Sequence, residues 1–125
     1  MTDRFIDESE NLDPQRAVEG VAGSDELRWL EGTHEELGHV QVAKRGDVAC
    51  YLPKEPVFEE VDGVDHEVVA VFEDDSVRDL KMRYTLFTDS TESVIIYDSD
   101  GERAMSQEPR IRAERAFPEL SEATE

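Results

Sequence analysis

The chain has 125 residues, 32 acidic side chains against 13 basic ones, and a formal net charge of −19. At this length one domain is expected, and area scaling with mass predicts burial of roughly two-thirds of the unfolded surface, enough for a real core. Leu, Ile, Val and Phe supply 30 residues, 24% of the chain, above the level of about 20% under which highly charged chains stay disordered.

Residues 1–12 read as a polar leader anchored only by Phe5, Ile6 and Leu12. Asp13-Pro14 is a helix start, an Asp cap followed by Pro at the first helical position. Ala17, Val18, Val21 and Ala22 follow at helical spacing, and Gly23 stops the run. Ser24-Asp25-Glu26 is a second start signal. The segment behind it is ambiguous: Leu27 and Trp29 alternate like a strand, while Leu27 and Leu30 fit a helical turn. The expectation is helical structure over 13–31.

From residue 37 the period becomes two. Val40 and Val42 lead to a turn at Lys44-Arg45-Gly46-Asp47, then Val48, Cys50 and Leu52 alternate until Pro53 and Pro56 interrupt. Val57–Val61 runs into Asp62-Gly63, a hairpin signal because Gly tolerates positive φ. Val64–Phe72 returns, and Asp74-Asp75-Ser76 turns the chain again. Leu80, Met82, Tyr84 and Leu86 give the clearest alternation, and Val94–Tyr97 is closed by Asp98-Ser99-Asp100-Gly101. Short connections imply antiparallel pairing. The fold class expected is α+β: one or two short N-terminal helices, an antiparallel meander of about five or six strands, possibly barrel-like, over 37–105, and a helical or extended tail over 106–125.

Two of these strands, 68–72 and 94–97, are apolar on both faces. A sheet open to water on one side shows polar residues at every second position, so both faces need cover. The N-terminal helix and the segment Arg110–Leu120 supply part of it, and another subunit is one candidate for the rest. Ile95→Asp and Ile96→Asp are accordingly expected to act on different faces.

The acid is spread evenly: residues 1–36 carry 11 acids and 3 bases, 37–105 carry 16 and 7, and 106–125 carry 5 and 3. Such a surface repels itself in dilute buffer and is relieved at molar salt, where the Debye length is about 3 Å. With only Lys44, Lys54 and Lys81 as lysines, the composition resembles that of the proteins of salt-in halophiles, haloarchaea above all. A dependence on monovalent salt follows as an expectation. The longest apolar run, Val68–Phe72, is far short of a membrane span, and Met1–Arg4 lacks the features of a signal peptide. Cys50, the single cysteine, excludes an internal disulfide. The expected setting is the cytoplasm, or a virion if the source is viral.

No motif carries chemistry. His34 and His39 flank Glu35, Glu36, Leu37 and Gly38, but five residues turn an ideal helix by about 140°, off the shared face that a zinc-protease helix needs. Cys50 and His66 have no ligand spacing around them, and a strand-centre Cys reads as core. Asp98–Glu102 begins like a calcium loop, yet its twelfth position falls on Pro109. Gly20–Ser24 lacks the Lys of a phosphate loop. Carboxylate groups such as Asp62, Asp65 and Glu67 are expected by abundance alone. The basic clusters, Arg78, Lys81 and Arg83, and Arg110, Arg112 and Arg115, read as partners of neighbouring carboxylates, and the net charge disfavours nucleic acid. No catalytic, cofactor or metal residue is therefore assigned. The expectation is a non-catalytic subunit that meets a protein partner or further copies of itself through a sheet face and chain ends. The alternatives are a monomeric ligand-binding or regulatory domain lined by Trp29, Tyr84 and Tyr97, and a small enzyme using carboxylate acid–base chemistry.

Overall fold

The structure is a computed structural model that describes residues 14–75, 80–89, 91–98, 103–104 and 107–122; the expected leader at 1–12 lies outside them. Helix α1 spans Pro14–Ala22, with Pro14 at its first position and Pro14, Ala17 and Val21 buried on one side. The amide of Gly23 donates to the carbonyl of Glu19 at 2.9 Å and ends the helix. The second helical run does not form. Ser24 and Leu27 close a turn instead, and strand β1 (Leu30–His34) has already begun where helix was expected. Period two wins here because Leu27 and Trp29 both pack against the main core, whereas Leu30 is 54% exposed.

The remaining strands are β2 (Gly38–Arg45), β3 (Val48–Pro53), β4 (Phe58–Val61), β5 (Val64–Asp74), β6 (Leu80–Phe87), β7 (Glu92–Asp98) and β8 (Arg103–Ala104). Every pair is antiparallel, in the order β1-β2-β3-β5-β6-β7-β8, with β4 hairpinned onto the first part of β5. The α+β class holds, but the sheet has more strands than expected and is open rather than closed into a barrel. The Asp62-Gly63 turn joins β4 to β5 with φ of 54° and 84°. That double positive φ matches the twist of a tight hairpin, and Asp beside Gly is among the few pairs that adopt it cheaply.

β5 is the organising strand. Its second half pairs with β3, from Tyr51↔Val71 to Val48↔Asp74, and its other edge pairs with β6. A bulge between Val68 and Ala70 reverses the inside–outside alternation. Val68 and Val71 therefore belong to one core, and Ala70 and Phe72 to the other, which accounts for the run that is apolar on both faces.

The larger core lies beneath helices. α2 (Glu108–Ala116) and α3 (Glu119–Glu122) lie with α1 over Val48, Cys50, Ala70, Phe72, Tyr84 and Leu86. The tail is thus helical rather than extended. Phe117, between α2 and α3, is fully buried against Phe72, with ring centroids 5.4 Å apart. Arg45 locks this layer down. Its guanidinium grips Glu119 through two bonds of 2.8 Å, and its Cζ lies 5.4 Å from the Phe117 ring centroid. Hydrogen bonding from Glu119 raises the Arg45 pKa above its usual value. On the opposite face a smaller core forms from Leu37, Val40, Val68, Val71 and Phe87, closed by Val57 and Val61 beside the curling β4 hairpin.

Candidate functional site

Polar residues gather on the face without helices. Register places Ala49, Glu73, Arg83 and Ile95 in one cross-strand row. Arg83 reaches from that row to both Glu36, in the β1–β2 turn, and Glu59, on β4. Burial opposes the charge on Arg83, but the two carboxylates outweigh it and raise its pKa, while the hydrogen bond from Arg83 holds Glu36 below the usual carboxylate range. This network ties the turn and the hairpin to the sheet and roofs the smaller core.

His34 belongs to the same roof. Its Nδ1 accepts from the amides of Glu36 and Leu37, at 3.1 and 3.4 Å, which leaves Nε2 as the protonated nitrogen in the neutral ring. Nε2 donates to Glu73 at 3.1 Å, and the ring meets Tyr51 edge-on at 4.7 Å. Both ring nitrogens are occupied within the chain, so His34 acts as a staple for the turn rather than as a free base. The cleft alongside, bordered by Glu36, Glu73, Asp75, Lys81, Met82 and Arg83, encloses about 170 Å³. Small-molecule sites usually run from about 300 Å³ upward and are mainly apolar.

The other singled-out residues are dispersed. His39 lies on β2, paired with Thr33 across the hairpin, so the His34–His39 stretch is no helix. Cys50 is fully buried on the helix-covered face, where burial pushes its thiol pKa up. His66 faces the other side, its Nδ1 donating to the Asp89 carboxylate at 2.5 Å beside Phe87; that bond holds the exposed Asp89 below its ordinary range. Among the described residues no group of three or more His, Cys, Asp or Glu side chains is arranged to hold a metal. The core of the Asp98–Glu102 loop, 99–102, lies outside the described residues, as does Arg78. Gly20–Ser24 is the end of α1, not a loop entering a helix. Asp62 and Asp65 are exposed about the β4–β5 turn.

Of the basic clusters, Arg83, Arg110 and Arg112 are held in ion pairs. Arg110 binds Glu92 and Glu114, and Arg112 binds Glu108 and the buried Asp74, at 3.0–3.1 Å. Of the aromatic residues expected to line a ligand pocket, Tyr84 is fully buried beneath the helices and Trp29 packs at the margin of that core, while the Tyr97 side chain lies outside the described ones.

Among the described residues, what is left uncovered is the β1 end of the sheet. Leu30, Val42, Tyr51 and Val71 form a continuous cross-strand row that passes from exposed to fully buried, and among the described residues β1 pairs only with β2. Neither family models, nor curated proteins, nor solved structures match this chain. No helix is long and apolar enough to cross a membrane among the described residues. Sequence reasoning expected carboxylate partners for Arg83 but not that they are Glu36 and Glu59, and it missed β1 because helix was expected through residue 31 and 32–36 were left unassigned.

Proposed function

We propose that the chain is a non-catalytic interaction subunit of an assembly that works in concentrated salt, in a cytoplasm or a virus particle, and that it docks on neighbouring protein through the β1 end of the sheet. One observation carries this reading: among the described residues the helices cover a single face, and on the other the apolar row ends at Leu30, 54% exposed on a strand paired on its β2 side only. Partial apolar exposure at a sheet margin, beside a charged surface, is the pattern of a docking patch. The even acid excess supports the salt-adapted part, since −19 per chain opposes association until the repulsion is screened.

The test is light scattering coupled to size-exclusion chromatography in molar KCl, repeated at low salt with circular dichroism. A discrete oligomer in molar KCl that is lost at low salt supports the reading. A monomer in molar KCl at every accessible concentration overturns docking on further copies of the chain and leaves only a different protein as the partner, and an oligomer indifferent to salt overturns the salt-adapted part.

A further inference from the structure

Beyond the docking patch and independent of it, we infer that the cleft between the β2–β3 turn and the end of α2 is a binding site for a small zwitterion, an amino-acid-like molecule whose carboxylate meets Arg115 and whose ammonium group meets Asp47.

The cleft encloses about 350 Å³, within the range of small-molecule sites. Val48 and Ala116 give it apolar lining, and three arginines, Arg45, Arg112 and Arg115, border it. That convergence runs against the composition, in which 32 acids face 13 bases.

Most of the charge around the cleft is already matched. Arg45 grips Glu119 through two bonds of 2.8 Å, and Arg112 donates to the buried Asp74 at 3.0 Å. These pairs are walls of no net charge. Two bordering groups make no ion pair among the described residues, and both are exposed: Arg115 and Asp47. The helix accounts for the first. Arg110 and Arg112 find carboxylates four residues away on α2, at Glu114 and Glu108. Arg115 has Ile111 four residues before it and Glu119 four residues after, and Glu119 is engaged by Arg45. Asp47 sits on the β2–β3 turn beside Gly46, whose φ of 60° reverses the chain there. One guanidinium and one carboxylate are thus left to a ligand.

This balance selects the ligand class. A bare anion meets repulsion from the net charge of −19, and a lone guanidinium in molar KCl exchanges its partner with chloride. A bare cation finds at Asp47 only one carboxylate among 32. A zwitterion carries no net charge, and its first contact holds the second at high effective concentration. Its two ends together compete with bulk ions where either end alone does not. The Arg115 fork suits a carboxylate, and the methylenes between the ends have Val48 and Ala116 to cover.

The test is a titration of the whole chain in molar KCl, followed by the backbone amide NMR signals. The probes are glycine, β-alanine, γ-aminobutyrate and ε-aminocaproate, with butyrate and butylammonium as one-ended controls. At least one probe is expected to shift the amides of Gly46 and Ala116 and to bind at least about 10-fold more tightly than either control. Arg115→Gln and Asp47→Asn are each expected to bring that probe to within about 3-fold of the controls, while Arg115→Lys, which keeps the charge, retains more affinity than Arg115→Gln. Both residues are exposed, so the variants keep the thermal melt of the parent chain. Probes that bind no more tightly than the controls, that keep their affinity in both variants, or that shift amides only elsewhere overturn the site. None of these outcomes bears on the oligomeric state, which tests the docking reading separately.

Discussion

Truncating Phe117 to alanine tests whether the last two helices are truly seated on the sheet. The ring is fully buried and touches Phe72 from one side and the Arg45 guanidinium from another. Loss of a buried Phe costs about 3–5 kcal/mol, part transfer and part cavity, and the cation–π contact adds about 0.5–2 kcal/mol. A loss of about 4–5 kcal/mol is expected. A domain of this length is stable by roughly 6–19 kcal/mol, so the variant remains folded but weakened. With a urea slope of about 1–3 kcal/mol/M, the midpoint in molar KCl falls by roughly 1.3–5 M. Val64→Ala, at an exposed site, serves as the comparison and is expected to shift stability by less than about 0.5 kcal/mol. A Phe117→Ala loss below about 1 kcal/mol would refute the argument, because it would mean that the segment 117–122 does not cover the core.

Two further outcomes follow from polar groups. The Tyr84 hydroxyl is buried with no hydrogen-bond partner among the described residues, so Tyr84→Phe is expected to be neutral or to stabilise by up to about 1 kcal/mol; a urea titration giving a clear loss would reveal a partner for the hydroxyl. Burial tends to raise the pKa of Glu119, but the bond from Arg45 overcomes this and holds it below its usual 4.5. A carboxylate depressed in the folded state contributes in full above its unfolded pKa, and the contribution is lost as pH falls through the folded value. Glu119→Gln is therefore expected to lose about 1.5–3 kcal/mol at pH 7, with the gap to the parent chain narrowing below about pH 4.5. A gap that stays constant down to pH 3 would sink this assignment.

Local signals carried the fold as far as local physics decides it. Pro14 and Asp62-Gly63 are legible because helix-start and turn chemistry depend on adjacent residues, and both mark observed element boundaries. The stretch 24–31 misled because capping residues precede it, while tertiary packing of Leu27 and Trp29 fixes its period. The bulge in β5 leaves no local signature: Val68 to Phe72 is uniformly apolar, and only pairing with β6 shows where the alternation reverses. The second core was anticipated as a need for cover, but the chain supplies much of that cover itself through Leu37, Val57 and Val61. The polar roof was illegible for a related reason. Arg83 bridges Glu36 and Glu59, 47 and 24 residues away, and with 32 carboxylates in the chain no pairing rule identifies those two.

The first and last described helices touch: a Cβ on Gly20 of α1 would lie 3.4 Å from the carbonyl oxygen of Glu119 in α3. This contact has a consequence during synthesis. A chain emerging from the ribosome presents the apolar side of α1, Ala17 and Val21, long before Phe117 and Leu120 exist to meet it. The sheet can pair progressively, but its helical lid closes only once Phe117 and Leu120 have emerged and the first and last described helices come together. Until then the nascent chain exposes an apolar strip on a strongly acidic body, and the acid excess that burdens the folded surface keeps neighbouring nascent chains apart.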